Sequence, residues 1–121
     1  MNELYLTFKQ ISIGFFKKLY GRRYIYLSDL TFHYFLILYP LDKPIEDKNA
    51  ITLDYVIVLW IVNKLYFDFN RNINDIIWLY KVVTGYEISK KEILKREMYI
   101  YNQLCWKIDY FLIDEFYKLV K

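Results

Sequence analysis

The sequence predicts an all-α fold in which several amphipathic helices surround one buried helix. Apolar residues make up 56% of the 121 residues and aromatic residues 21%, which excludes a disordered chain and is enough for one hydrophobic core. Turn signals divide the chain into short segments whose apolar residues recur at helical spacing. We therefore expect a single domain over residues 1–121, with five to six helices joined by short connections.

The first two predicted helices are defined by apolar spacing and by the residues that end them. The first covers residues 4–19 and ends before Gly21. The second covers residues 29–39, with Ser28 as its N-cap and Pro40 as its stop. The expected buried face of the first helix consists of Leu4, Phe8, Ile11 and Phe15.

The third segment, residues 53–66, is expected at the centre of the domain. Its stretch Tyr55–Val62 is apolar on every side, and a helix that is hydrophobic all round is buried. The β-branched residues of this stretch make a strand the competing interpretation. A dozen residues without a turn signal are more typical of a helix, for which Thr52 is the expected cap.

Two further helices are predicted on either side of the clearest helix start in the chain. One covers residues 75–83, capped by Asn72 or Asn74 and ended by Gly85. The other covers residues 112–120, where apolar residues again recur at helical spacing.

The fifth predicted helix, between these two, has the strongest local signature. Ser89-Lys90-Lys91-Glu92 forms a capping box, and Ile88 and Ile93 are placed to form the hydrophobic staple around it. We expect this helix to continue to about Trp106.

Two charged residues interrupt apolar faces of the predicted helices. Lys64 ends the face of the third helix that carries Trp60, and Glu97 fills a gap between Ile93 and Ile100 on the fifth. A lone buried charge is costly, so such groups are normally paired or reach water. In one interpretation, Lys64 extends into solvent and Glu97 lies at the edge of its apolar stripe. In the other, the two meet at one surface and offer charge-assisted hydrogen bonds to a partner.

The segments that carry these two charges match a known pattern. Thr52–Tyr66, TLDYVIVLWIVNKLY, is an apolar helix that closes on a small residue, a lysine and an apolar residue. Ile88–Asp109 begins with a serine cap and continues with an apolar pair, a glutamate, a leucine and an aromatic residue. In order and spacing, these motifs resemble the cyclin box over about residues 28–116, where Leu30–Leu38 resembles its second helix and Phe116 fits its final helix. The residues of the later motif that fit are Ile93, Leu94, Glu97, Leu104 and Trp106.

The resemblance implies a cyclin-box-like bundle around the third helix and a regulatory subunit that binds a protein kinase of the cyclin-dependent type. It implies that Lys64 and Glu97 hydrogen-bond the kinase around its mobile C-helix, which moves the catalytic glutamate of the kinase inward. The apolar part of the same surface would be formed by Leu65, Tyr101 and Trp106.

The sequence also departs from the cyclin pattern. The first helix lacks the Met-Arg-Ala-Ile-Leu-like run with which many cyclins dock substrates, and Leu38-Tyr39-Pro40 stands where the family keeps an aspartate paired with an arginine. One alternative is therefore a cyclin-fold scaffold or transcription-factor-like module that activates no kinase. Another is a box that binds a kinase and blocks it.

Residue types that carry catalysis or bind metals are scarce in this sequence. The one histidine, His33, is expected to be buried or half-buried, and the one cysteine, Cys105, is expected to be inert packing. No glycine-rich phosphate loop or metal-ligand spacing occurs. We therefore expect no enzymatic activity, no cofactor or metal, and no small-molecule substrate.

Charge and hydropathy give no support to a nucleic acid or a membrane as the partner. The 17 basic and 14 acidic residues are interspersed, whereas nucleic-acid binders concentrate positive charge in one stripe. No apolar stretch approaches the roughly 20 residues of a membrane span, and the N-terminus lacks a signal-peptide pattern, so we expect an intracellular protein, cytoplasmic or nuclear. The 14 tyrosines are suited to stacking on single-stranded nucleic acid. Many of the tyrosines, however, fall at helical core positions. AT-rich codons also favour this composition, and we expect such codons in a virus-encoded cyclin-like protein.

Overall fold

A computed structural model describes residues 3–20, 24–41, 47–66 and 73–104, and every regular element in these ranges is a helix. The helices are α1 (Glu3–Tyr20), α2 (Tyr24–Leu38), α3 (Lys48–Tyr66), α4 (Ile73–Thr84) and α5 (residues 90–104). The predicted all-α class is therefore confirmed. The helix predicted over residues 112–120, together with Cys105 and Trp106, lies outside the described residues.

Helix α3 occupies the centre of the core. The side chains of Tyr55–Val62 are between 0% and 6% exposed, and the helix packs against α1, α2 and α4. The alternative of a strand is wrong for this segment, because a helix surrounded by other helices buries all of its sides while its backbone hydrogen bonds stay internal.

Aromatic rings join α3 to the two helices that precede it. Phe8 of α1 stacks on Tyr55 of α3 with the ring centroids 4.6 Å apart. Phe35 of α2 meets both rings edge-on, at 5.4 Å from Phe8 and 5.0 Å from Tyr55. Edge-to-face and offset-stacked rings contribute about 0.5–1.5 kcal/mol per pair beyond the area they bury.

Buried hydroxyl groups connect the same three helices and overturn one predicted cap. Ser12 Oγ lies 2.7 Å from Ser28 Oγ and accepts a hydrogen bond of 2.8 Å from the hydroxyl of Tyr55. The prediction that Ser28 caps the second helix is wrong, since α2 already begins at Tyr24. Ser28 lies inside α2 and is buried, where the contact with Ser12 satisfies its hydroxyl.

The predicted start of the third helix is also wrong. Asp47 caps α3, because its Oδ1 accepts hydrogen bonds from the N–H groups of Asn49 at 3.0 Å and Ala50 at 3.3 Å. Thr52 lies within the helix instead, and its hydroxyl donates to the carbonyl of Lys48 at 2.6 Å.

The signals that bracket the segment between α4 and α5 are confirmed. Gly85 ends α4 with a φ of 81°, and its N–H donates to the carbonyl of Lys81 at 2.7 Å. Ser89 caps α5, because its hydroxyl accepts a hydrogen bond from the N–H of Glu92 at 3.1 Å. Asn74 lies inside α4 and does not cap it, and Asn72 lies outside the described residues.

Two expectations about buried side chains need correction. His33 is exposed. Its burial was predicted wrongly because α2 is apolar on nearly every side, so the spacing of its residues does not reveal which side faces the core. The buried face of α1 is rotated from the predicted one, so that Leu4, Ile11 and Phe15 are only half-buried. The fully buried residues of α1 are Tyr5, Phe8, Ser12 and Phe16.

Replacing Trp60 by alanine should lower the free energy of unfolding by roughly 3–5 kcal/mol, because it removes a large ring from the packed centre. Trp78→Ala is the matched control: Trp60 is 6% exposed and Trp78 is 65% exposed, so the control should cost less than about 1 kcal/mol. Urea denaturation measures both. Equal losses for the two variants would contradict the central position of α3.

The buried hydroxyl of Tyr55 makes stability depend on alkaline pH. Burial raises the pKa of Tyr55 above its ordinary value, so the unfolded chain loses this proton at a lower pH than the folded chain does. This contribution to stability is complete below about pH 10 and is lost as the pH rises above that value. Stability measured from pH 8 to 11 should therefore fall less steeply in Tyr55→Phe than in wild type. The exposed control Tyr86→Phe should keep the wild-type slope.

Candidate functional site

The two charges that interrupt apolar faces meet in the structure. Lys64, in the last turn of α3, forms an ion pair with Glu97 of α5. The Lys64 side chain is 43% exposed and the Glu97 side chain only 13%, so the carboxylate is largely covered. Burial lowers the pKa of Lys64, while the carboxylate beside it favours the charged ammonium. Binding of a partner by this pair stays a prediction.

Around the ion pair lies a shallow depression of about 450 Å³, which we name the α3–α5 surface. Its apolar part is open to solvent, with Leu94 45%, Met98 70% and Tyr101 41% exposed. The described residues that line it are Lys64, Leu94, Glu97, Met98, Tyr101 and Asn102.

The α3–α5 surface contains only part of the predicted partner-binding set. Tyr101 lines it together with the two charges, whereas Leu65 is 36% exposed beside Lys64 and does not line it. Trp106 lies outside the described residues. The sequence predictions did not assign Leu94 and Met98 to the site. A usable signal existed, because Leu94 lies three residues before Glu97 and Met98 three residues before Tyr101, and residues three apart are neighbours on a helix surface.

A second ion pair holds α5 against α3. Arg96 donates to both carboxylate oxygens of Asp54, from Nε to Oδ1 at 2.7 Å and from Nη2 to Oδ2 at 2.8 Å. The Tyr39 hydroxyl at the end of α2 donates to Oδ2 of the same carboxylate. Asp54 is 1% exposed, so these hydrogen bonds replace its lost hydration. Because Arg96 precedes Glu97, this contact also fixes the rotation of α5 that turns Glu97 towards Lys64.

The Asp54 cluster explains the protonation of its neighbours. Burial and the hydrogen bond to Asp54 raise the pKa of the Tyr39 hydroxyl, and the hydrogen bonds to Asp54 raise the pKa of Arg96. The guanidinium carbon of Arg96 also lies 4.4 Å from the ring centroid of Tyr99. No sequence prediction covers this cluster, and the one local signal for it is the carboxylate of Asp54 beside the apolar stretch of α3.

Comparisons with known proteins identify no family for this chain. No protein-family model, no curated protein and no solved structure matches it. The cyclin-box resemblance therefore rests on the order and spacing of the two sequence motifs.

Two features of the described part of the chain bear on other classes of site. Among its helices, none is both long and apolar enough to cross a membrane. The same residues bring together no group of three or more His, Cys, Asp or Glu side chains that could hold a metal ion.

Removing Arg96 should cost more stability than removing its partner. Arg96→Ala leaves the carboxylate of Asp54 buried without its cation, which costs about 3–5 kcal/mol. Asp54→Ala should cost less, because the Arg96 side chain is 38% exposed and can turn towards water. Urea denaturation of both variants and the double variant measures this difference.

The exposed pair of Lys81 and Glu87, whose side chains are 55% and 77% exposed, is the matched control for that comparison. Alanine at either position should leave the stability nearly unchanged, because water and salt screen an exposed ion pair. A loss on Arg96→Ala no larger than that of the control would show that the Asp54 contact does not hold α5 in place.

Proposed function

We propose that this chain is a cyclin-like regulatory subunit that binds a protein kinase of the cyclin-dependent type through the α3–α5 surface and modulates its activity. The observation that carries the proposal is the Lys64–Glu97 ion pair beside an exposed apolar depression. These are the two residues that match the kinase-contacting pair of the resembled family, and they come from helices far apart in sequence.

The chemistry of the α3–α5 surface suits recognition of a helix end or loop. A lysine ammonium has three donors and a carboxylate has two accepting oxygens, so both groups keep hydrogen-bonding capacity while they are paired. Leu94, Met98 and Tyr101 supply an apolar area next to them. Tyrosine is among the residues that dominate binding energy at interfaces, and the flexible side chain of methionine adapts to the shape of a partner.

The proposed subunit acts by binding a partner and not by catalysis. A standard interface buries about 800 Å² on each partner, so the depression would form the centre of a larger contact. Leu65 and Trp106 are predicted to extend that contact along the ends of α3 and α5.

A second candidate is a cyclin-fold scaffold that activates no kinase. One observation favours it: the Glu97 carboxylate is only 13% exposed and is already satisfied by Lys64, as expected for a pair that stabilises the bundle. Single truncations do not separate the two candidates, because removing either charge affects folding and binding together.

Exchanging the two charges separates them. Lys64→Glu and Glu97→Lys alone each place like charges together and should weaken both folding and kinase binding. The double variant Lys64→Glu/Glu97→Lys restores an ion pair, so its Tm should return towards wild type. Its kinase affinity should stay at least about 30-fold reduced, because each kinase group then faces the wrong charge.

The measurement is calorimetric titration of the full chain with a panel of purified cyclin-dependent-type kinases, alongside thermal denaturation. Lys81→Glu/Glu87→Lys, an exchange of the exposed pair, should leave affinity and Tm unchanged. Wild-type affinity in the Lys64/Glu97 exchange would assign the pair a purely structural role. Absence of binding to every kinase of the panel would refute the proposed function.

A further inference from the structure

A second groove lies between α1 and α4 and shares no residue with the α3–α5 surface. It encloses about 410 Å³. No Cα atom of α1 lies within 8 Å of a Cα atom of α4, so the two helices flank the groove without closing it. Both pack on α3. The described residues that matter here are Ile11, Gly14 and Phe15 of α1 and Asp75, Trp78 and Val82 of α4.

The α4 wall of the groove exposes large apolar side chains. Trp78 is 65% exposed and Val82 is 60% exposed, while Phe15 opposite them is half-buried. Apolar side chains grouped at a concave surface and open to water mark an interaction site more often than isolated ones do. Tryptophan is also among the residues that dominate binding energy at interfaces.

The α1 wall contains a glycine that the free chain does not require. Glycine inside a helix lowers stability relative to alanine. A Cβ atom on Gly14 would meet nothing within 4 Å, and its φ is not positive, so neither packing nor backbone conformation demands glycine there. Its missing side chain keeps the groove wall open where a ligand backbone can approach closely.

We propose that this groove binds one amphipathic helix of another protein, which packs apolar residues against Trp78 and Phe15 and places a Lys or Arg beside Asp75. A cation is assigned because Asp75 is the one charged side chain among the described lining residues. A helix is assigned because two separated helices form the walls, and an apolar helix face fits such a groove. The inference does not rest on the proposed kinase contact.

A second copy of this chain fits the groove less well. A stable dimer buries about 800 Å² of each partner, so a second copy would have to extend its contact well beyond the groove, whereas the groove of about 410 Å³ accommodates the side chains of one short helix by itself. A basic amphipathic helix uses the apolar walls and the carboxylate together, and its binding should weaken with added salt.

Panning a phage library of single-helix peptides on the full 121-residue chain tests the proposal. Gly14→Leu, which fills the groove, takes no part in the selection and is used afterwards to measure the affinity of the enriched peptides. Enriched peptides should carry apolar residues three and four positions apart and a Lys or Arg at one end. Their affinity should fall about tenfold or more on Gly14→Leu and on Trp78→Ala, and several-fold on Asp75→Asn.

Two controls separate binding from folding. Gly14→Ala should raise the Tm by about 2–6 °C, because the helix gains propensity and the added Cβ atom meets nothing within 4 Å. Gly14→Leu should melt at or above the wild-type Tm, and that measurement shows that its lost binding is not caused by unfolding. Tyr86→Ala removes an aromatic residue that is 58% exposed and lies outside the groove, and it should leave affinity unchanged.

Three results would overturn the inference. Peptides that bind Gly14→Leu as tightly as wild type would place their site elsewhere. Enrichment of no peptide, or only of peptides without helical spacing, would exclude a helix as the occupant. Affinity unchanged in Asp75→Asn would exclude the cationic residue.

Discussion

The whole arrangement depends on the complete enclosure of α3. Because the stretch Tyr55–Val62 has no side that tolerates water, the other helices must cover it from every direction. Enclosure also removes water from the polar groups of this helix, so each of them needs a partner from a neighbouring helix. The Tyr55 hydroxyl is paired with Ser12 of α1, and the carboxylate of Asp54 with Arg96 of α5 and Tyr39 after α2.

These polar contacts specify how the helices are arranged, which apolar packing alone does less well. Apolar surfaces of similar shape are largely interchangeable, whereas a buried hydrogen bond has one partner at one distance and angle. Asp54 and Lys64, which lie on different turns of α3, are matched by the adjacent residues Arg96 and Glu97. Helix α5 is thereby held in one rotation, and its outer apolar face, with Met98 and Tyr101, is turned to solvent beside the ion pair.

The α3–α5 surface and the groove between α1 and α4 are open to solvent for different physical reasons. At the α3–α5 surface, the paired charges of Lys64 and Glu97 lie next to exposed apolar residues, so a partner would form hydrogen bonds with groups that already bind each other. Between α1 and α4 the walls are apolar and a glycine replaces a side chain that would fit, so the space is open without any polar group requiring a ligand. The α3–α5 surface suits a partner that recognises the ion pair, and the groove suits a partner that packs an apolar helix face against its walls.

What the sequence by itself determined was the fold class, the buried stretch of α3 and the helix ends that strong local signals define. The all-α class and the buried stretch of α3 follow from periodicity, and the boundary at Gly85 and the capping box at Ser89 follow from local backbone chemistry. Two charges on apolar faces also raised, as one of two interpretations, the contact between α3 and α5 that the structure shows.

Only the tertiary structure decided the partners of the polar groups in the core. Ser28 is called a cap by local rules, but its hydroxyl lies against Ser12, 16 residues away in sequence. Asp54 is paired with Arg96, which is 42 residues away in sequence, and the residues next to Asp54 in the chain do not indicate that partner. The exposure of His33 and the separation of α1 from α4 were likewise decided by packing. The physical reason is that a helix period defines a face, whereas the choice of what covers the face depends on every other helix at once.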